Sequence, residues 1–259
     1  MTLIPEIKPQ QSVELLKALH ILTRDGKINQ DSRRKLKQVY HLYNFIEPLM
    51  LKVLEEQKHL SLVDHGAGKS YLGFILYDLL LKEYPQAHVY GIEFREQLVK
   101  SSEDLADKLG FTHGMSFKAM SVEEAMESTD IPDKVDITTA LHACDTATDD
   151  AIRFALERQS KYIVLVPCCQ AEVAAHLRQN KNTAIKENSL SEIWRHPIHT
   201  REFGSHITNV LRCLQLEARG YQVTVTELVG WEHSMKNELI IARKVAKFKK
   251  VLVNANWRL

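Results

Sequence analysis

The sequence has 259 residues, and its 44% hydrophobic and 26% charged residues are close to the averages of globular proteins. This composition excludes collagen-like, disordered and coiled-coil chains. The 34 Lys and Arg residues balance the 33 Asp and Glu residues, so a polyanion would need a local basic patch, and no DNA partner is expected.

The first 58 residues are predicted to form helices. Apolar residues recur at helical spacing over 13–22 and again over 36–53, with a turn at Asp25-Gly26 between the two patterns. Neither pattern contains a strand candidate. We therefore predict an N-terminal helical extension over residues 1–58, followed by a second domain over residues 59–259.

From residue 59 onward, short apolar runs alternate with longer amphipathic stretches, which is the pattern of a parallel sheet. A helix near 207–219 and two further strand-like runs follow, and these runs could pair as a hairpin. The pattern predicts a doubly wound, mostly parallel, seven-stranded α/β sheet. The predicted strands are 60–64, 88–93, 116–120, 135–142, 161–167, 221–229 and 238–243.

A glycine-containing turn follows the first predicted strand. In the segment LSLVDHGAGKSYLGFIL, the strand ends at Asp64, Gly66-Ala67-Gly68 forms the turn, and an amphipathic helix starts near Lys69. Glycines let the backbone approach a ligand closely, and the start of the helix offers unpaired N–H groups. The segment therefore predicts a cofactor site at the carboxyl end of the first strand.

The spacing of the glycines decides between cofactors. An ATP phosphate loop needs Gly where Val63 stands, and a dinucleotide fingerprint needs Gly or Ala where Tyr71 stands. Asp64 suits a cofactor with an ammonium group, and Glu93, at the end of the second strand, can accept both hydroxyls of a ribose. These residues fit S-adenosylmethionine better than a pyrophosphate ligand. The alternative is an incidental strand-to-helix turn with a surface glutamate after it.

Two further segments lie at predicted strand ends. They read Leu141-His142-Ala143-Cys144-Asp145 after the fourth strand and Pro167-Cys168-Cys169-Gln170 after the fifth. With the glycine turn, they make residues 59–243 resemble the class I S-adenosylmethionine-dependent methyltransferases. More narrowly, the sequence resembles the methyltransferase-like part of glutathione S-transferase C-terminal domain-containing proteins. Asp145 stands where that group more usually has Gly.

The resemblance implies a Rossmann-like methyltransferase fold with a reaction centre beside 142–145 and 167–170. A sulfonium is an activated methyl donor, so catalysis needs an aligned acceptor and, for a hydroxyl or an amine, a base. His142 and Asp145 are the candidate bases, and a structural imidazole is the alternative for His142. In family terms, the implied cofactor contacts are Asp64, Gly66, Ala67, Gly68, Lys69, Glu93, Met120, Ser121 and His142.

The cysteines leave two other chemistries open. Enzymes that methylate C5 of a pyrimidine use a Cys nucleophile, and Cys144 and Cys168 would lie after strands four and five, as in some RNA enzymes. Cys168 is therefore a catalytic candidate, although no general-acid partner is identifiable. A zinc site from His142, Cys144, Cys168 and Cys169 lacks the usual two-residue Cys spacing. The main prediction is structural thiols and no metal.

The acceptor is predicted from basic and aromatic residues. Basic residues concentrate within 33–37 and within 243–250, where they could bind an RNA backbone or form solvated faces. The polar segment 180–206 could be a lid whose rings stack on a base, or a loop over the sheet edge. We expect direct in-line transfer to oxygen or nitrogen of RNA. Protein or small-molecule acceptors and a noncatalytic binding module are the alternatives.

The cysteines and the apolar runs predict the compartment. Only four cysteines occur, and Cys168 and Cys169 are adjacent, which suits a reduced protein and not a disulfide framework. No apolar run approaches the ~20 residues of a membrane span, and the first residues lack the apolar stretch of a secretion signal. We expect a cytoplasmic protein with no membrane partner, and the oligomeric state stays open.

Overall fold

Strands and helices alternate in the computed structural model, which describes residues 5–141, 143, 145–167, 171–179, 192, 195–228 and 238–245. The strands are β1 (Leu60–His65), β2 (Ala87–Glu93), β3 (Met115–Ala119), β4 (Ile137–Leu141), β5 (Tyr162–Val166), β6 (Tyr221–Glu227) and β7 (Glu238–Lys244). The helices are α1 (Val13–Ala18), α2 (Gln30–Gln57), α3 (Tyr71–Leu79), α4 (Glu96–Leu109), α5 (Val122–Glu127), α6 (Thr146–Glu157), α7 (Glu172–Gln179) and α8 (Pro197–Ala218), with a 3-10 turn at Leu81–Glu83.

The seven strands form one sheet in the order β3-β2-β1-β4-β5-β7-β6. Strands β1 to β5 are parallel, whereas β7 lies antiparallel between β5 and β6. Every residue of β1 and β5 is buried, because apolar clusters pack against both faces of the central strands. The predicted doubly wound, mostly parallel, seven-stranded α/β sheet is confirmed.

The N-terminal helical patterns form α1 and α2, and both helices begin at a polar cap. The Ser12 side chain accepts the backbone N–H of Leu15 at 3.1 Å, and the Asn29 side chain accepts that of Ser32 at 2.8 Å. Helix α2 ends at Lys58, which adopts a left-handed backbone conformation. Capping at both helix starts explains why the two patterns fold as separate helices.

The N-terminal helices share their core with the sheet. Leu16 of α1 belongs to the same buried cluster as Leu62 of β1 and Phe74 of α3. The backbone N–H of Ser12 also donates to the buried carboxylate of Asp78, at 2.7 Å. The extension is therefore fixed against the face of the sheet that α3 covers.

The predicted start of the helix near 207 is wrong. Helix α8 begins at Pro197, so residues 197–206 of the proposed lid segment are helical. Proline at the first helical position is compatible with the start of a helix, and the polar composition of the first turns concealed the apolar face that follows. Residues 180–191 and Trp194 lie outside the described residues.

Among the described helices, none is both long and apolar enough to cross a membrane.

Candidate active site

The glycine turn after β1 lies against the end of β2. Gly66 and Gly68 have φ values of 65° and 59°, which is the left-handed region that glycine adopts at little cost. The backbone N–H of Gly68 donates to Oε2 of Glu93 at 2.8 Å, so the two predicted halves of the cofactor site are in direct contact. A β-carbon on Gly68 would have Arg95 as its nearest neighbour, at 4.0 Å, so the turn faces open space.

Glu93 is an ionised acceptor at the carboxyl edge of the sheet. Its Oε1 accepts the backbone N–H of Arg95 at 3.1 Å and the Nε–H of the same residue at 2.7 Å. Burial by itself would raise the pKa of Glu93, but the hydrogen bonds from Arg95 and Gly68 hold it below its usual value. Ribose hydroxyls would therefore meet a carboxylate, and they would compete with Arg95 for it.

Two cavities lie side by side along this edge. The first, of about 710 Å³, is lined by Phe94, Met120 and the start of α4. The second, of about 340 Å³, is lined by Asp64, the glycine turn and Leu141 of β4. Arg95 lines both, so the cavities meet beside Glu93. Together they follow the strand ends from β3 to β4, which is where ligands bind in open α/β sheets.

The larger cavity suits a purine base. Phe94 follows Glu93 directly and its side chain is 77% exposed, which leaves an aromatic face open for stacking. Met120 lines the same cavity, and its backbone N–H donates to the carbonyl of Glu93 at 3.3 Å. Ser121, the other predicted adenine contact, caps α5, because its hydroxyl accepts the N–H of Glu124 at 3.2 Å. An adenosyl group therefore fits with its base in this cavity and its ribose at Glu93.

The carboxylate of Asp64 is already engaged by donors of the protein. It is 2% exposed, and its carboxylate accepts the hydroxyl of Thr139 at 2.8 Å. Ser70 and the N–H of Gly73 also donate to it. Burial raises the pKa of Asp64 to about 6 against these hydrogen bonds. Asp64 thus positions the turn, and a ligand ammonium group would have to share the carboxylate with these donors.

The loop after β4 is fixed from two sides. Asp145 has φ 51° and ψ −123°, a conformation that glycine adopts readily and that costs about 1–3 kcal/mol in other residues. Its Oδ1 accepts the N–H of Ala171 at 3.0 Å, and its carbonyl accepts from the buried Arg212 of α8 at 2.8 Å. Arg212 also donates twice to Asp149, at 2.8 and 2.6 Å. Asp145 thus links the loops after β4 and β5.

Several predicted site residues lie outside the described residues. They are His142, which is one of the two candidate bases, and the cysteines Cys144, Cys168 and Cys169. The described cysteine, Cys213, is free. Within the described part of the chain, no three His, Cys, Asp or Glu side chains lie close enough to hold a metal ion.

Described residues of the two predicted basic clusters lie at opposite ends of the parallel strands. Lys35 lines the smaller cavity, so the cluster within 33–37 borders the candidate site. Arg243 pairs with Tyr162, the first residue of β5, because β7 is antiparallel. The start of the cluster within 243–250 therefore lies at the amino edge of the parallel strands, away from the glycine turn. Of the described basic residues, Lys35 therefore borders the candidate site and Arg243 does not.

Sequence reasoning missed several contributors to the site. Gln38 of α2 lines the smaller cavity, Phe94 lines the larger one, and Arg95 holds Glu93, whereas Lys35 was expected only as part of a basic cluster for RNA. The helical pattern of α2 placed its apolar face on the core, but it contained no signal for which polar residues would border a ligand. Arg95 lies only two residues after Glu93, and a basic residue at that spacing was a signal that could have been used.

Replacing Gly66 with valine is expected to abolish cofactor binding. A β-branched residue at this positive φ costs on the order of 1–2 kcal/mol, and the side chain would also enter the smaller cavity. Gly110→Val is the matched control, because Gly110 has φ 72° and open space around it at the end of α4. Calorimetry with S-adenosylhomocysteine measures the difference. Equal binding by the two variants would exclude the glycine turn as a cofactor contact.

Comparisons with known proteins agree with this geometry. Residues 34–176 match a family model described as a methyltransferase domain. A candidate rRNA methylase from Clostridium thermocellum is similar in structure, with 11% identity, a TM-score of 0.52, and coverage of 81% of this chain and 97% of that chain. No curated protein matches the chain in sequence.

Two other solved structures are similar at lower scores. A candidate caffeoyl-CoA O-methyltransferase from Staphylococcus aureus has 11% identity, a TM-score of 0.47, and coverage of 91% of this chain and 93% of that chain. An rRNA methylase from Streptococcus thermophilus has 10% identity, a TM-score of 0.47, and coverage of 78% of this chain and 93% of that chain. At such identities, similarity concerns the fold alone.

Proposed function

The chain belongs to the methyltransferase domain family, and from this premise we propose that it transfers the methyl group of S-adenosylmethionine to RNA. The chain is an S-adenosylmethionine-dependent methyltransferase, and the acceptor and the residue roles are the proposal. The observation that supports RNA is that Lys35 lines the cavity of the glycine turn, because Lys35 belongs to the first basic cluster, Arg33, Arg34, Lys35 and Lys37. Basic groups at that place can bind backbone phosphates while the target base or ribose enters the site.

The described contacts support the cofactor side of the proposal. Glu93 accepts the ribose hydroxyls, Phe94 and Met120 enclose the adenine, and the backbone at Gly66 and Gly68 leaves room for the ligand. Bound S-adenosylmethionine supplies an activated methyl group, so the protein has to orient the acceptor and not to create a leaving group. These residues therefore act by binding and orientation.

The acceptor side belongs to the loops after β4 and β5. Leu141 ends β4 at the smaller cavity, and the proposed bases His142 and Asp145 follow it. In Asp145, Oδ1 is engaged by the N–H of Ala171, which leaves Oδ2 as the oxygen to accept a proton. Cys168 follows β5 and stays the candidate nucleophile of the covalent alternative. Direct in-line transfer to oxygen or nitrogen needs only the base.

The proposal is tested by methyl transfer from labelled S-adenosylmethionine to total RNA and to total protein. Label in RNA is expected. Label in protein alone would contradict the proposed acceptor, and cofactor binding without transfer to either pool would favour the noncatalytic binding module. The assay therefore separates the acceptor from the activity.

The triple variant Arg33→Ala, Arg34→Ala, Lys37→Ala sharpens this test. Arg33 and Arg34 form exposed ion pairs with Glu6 and Asp31, which are worth at most about 1 kcal/mol and can be exchanged for phosphates. RNA methylation should fall, and the salt dependence of RNA binding should lose a slope of about one for each phosphate contact removed. Cofactor binding should stay as in the wild type. An unchanged salt dependence would exclude this cluster from RNA binding.

A further inference from the structure

The wall of the smaller cavity that faces the glycine turn is built by α2. Lys35 and Gln38 lie three residues apart, which places them on one face of the helix, and both line the cavity. Arg33, two residues earlier, is paired with Glu6, whereas no described carboxylate pairs with Lys35. Helix α2 thus presents an ammonium group and a side-chain amide to the ligand space.

The excess of positive charge around this cavity favours a ligand that carries an anionic group. Lys35 and Lys69 line it together with a single carboxylate, that of Asp64, whereas the guanidinium of Arg95, which also lines it, is paired with Glu93. Asp64 is buried and already accepts hydrogen bonds from Thr139 and Ser70. The cofactor brings an ammonium group and a sulfonium, and such a wall would repel both if no negative charge accompanied them. The negative charge of the cofactor is its α-carboxylate.

The position of Glu93 determines which end of the cofactor enters this cavity. Glu93 ends β2, and the larger cavity with Phe94 and Met120 continues from it towards β3. The adenosine therefore occupies the β2–β3 side. The amino-acid end must extend to the other side of the glycine turn, over β1 and β4, where Leu141 and α2 form the wall. The α-carboxylate is thus directed to the helix that carries Lys35.

We infer that Lys35, with Gln38 beside it, binds the α-carboxylate of the cofactor, so that the N-terminal helical extension completes the cofactor site. This inference rests on the proposed cofactor geometry. It assigns to α2 a ligand-binding role besides its packing against the sheet. It also separates the basic cluster into Lys35, which faces the cofactor, and its neighbours, which remain for the acceptor.

The test compares two ligands that differ in the amino-acid end. S-adenosylhomocysteine carries the α-carboxylate, whereas 5′-methylthioadenosine keeps the adenosine and the sulfur and lacks the amino acid. Lys35→Ala should weaken binding of S-adenosylhomocysteine by about tenfold to a hundredfold, which is the range for a charged hydrogen bond. Binding of 5′-methylthioadenosine should change less than twofold. Calorimetry on the full chain gives both dissociation constants.

Two further lysines serve as comparisons. Lys52 is exposed on the same helix, about 25 Å further along, and Lys52→Ala should leave both dissociation constants unchanged. Lys69 lines the cavity from the turn. A selective loss of S-adenosylhomocysteine binding in Lys69→Ala, with none in Lys35→Ala, would overturn the assignment in favour of Lys69.

The remaining outcomes separate the inference from the proposed function. Equal weakening of both ligands in Lys35→Ala would make Lys35 a structural residue, and no weakening of either would remove it from the site. In both cases, binding by the wild-type protein would leave the cofactor site intact. A wild-type protein that binds neither ligand would overturn the cofactor site itself, and the inference with it.

Discussion

Replacing Glu93 with alanine is expected to weaken binding of S-adenosylhomocysteine by at least roughly a hundredfold, or about 3 kcal/mol, because two hydroxyl bonds to a charged acceptor are lost. The same change leaves the N–H of Gly68 without its acceptor and releases Arg95. The turn and the ribose contact are therefore disturbed together. Calorimetry with the purified variant measures the effect.

Two variants control for the fold in this experiment. Glu93→Gln keeps the size of the side chain and removes the charge, so it should retain part of the affinity. Glu103→Ala removes an exposed carboxylate from α4 and should bind as the wild type does. If Glu93→Ala bound S-adenosylhomocysteine with unchanged affinity, Glu93 would not contact the ribose.

Removing the carboxylate of Asp64 is expected to expose a pH dependence that the wild type conceals. The pKa of Asp64 is raised to about 6 by burial, so between about pH 4 and 6 the folded state holds a proton that the unfolded chain releases. The free energy of unfolding therefore falls as the pH rises through this window. At about 1.4 kcal/mol for each pH unit, the total change is about 3 kcal/mol.

His65, the next residue, makes the free energy of unfolding change with pH in the opposite direction. His65 is buried against Phe154, and burial lowers its pKa to about 4. The charge of Glu93 acts against this shift, and the charge of Arg153 adds to it. Between about pH 4 and 6.5 the unfolded chain holds the proton and the folded state does not, so the free energy of unfolding rises with pH, again by about 3 kcal/mol. The contributions of the two neighbours nearly cancel in the wild type.

Urea unfolding at pH 7 and pH 4.5 tests this pair. Relative to the wild type, Asp64→Asn should lose stability on acidification, because His65 then acts alone. His65→Leu should gain stability on acidification, because Asp64 then acts alone. The double variant should return to the pH dependence of the wild type. Identical pH dependence in all four proteins would show that neither residue titrates with a shifted pKa.

The sheet and the turn could be predicted from the sequence because their signals are local. Apolar runs of strand length alternate with amphipathic helices over β1 to β5, and Gly66 and Gly68 follow directly on a buried strand. Glu93 could be placed beside the turn because parallel strands end at one edge of the sheet. The hydrogen bond of 2.8 Å between Gly68 and Glu93 agrees with this rule.

The remaining features depend on pairings between distant residues. The insertion of β7 between β5 and β6 joins strands more than seventy residues apart, and no local pattern encodes that register. Arg212 bonds with Asp149, 63 residues earlier, and a single basic residue in a helix has no periodic signal. The ligand-facing side of α2 was hidden for the same reason, since Lys35 resembles any solvated lysine until the opposite wall is known.

The hydrogen bond between Arg212 and the carbonyl of Asp145 makes the proposed acceptor half of the site depend on α8, near the C-terminal end of the described residues. The family match ends at residue 176, before α8 begins. That match contains the residues of the glycine turn and Glu93, but it lacks Arg212, whose guanidinium bonds the carbonyl of Asp145. The proposed donor contacts therefore lie within the matched stretch, whereas the proposed acceptor loop also depends on a residue after it. During translation, that loop can be completed only after α8 has left the ribosome.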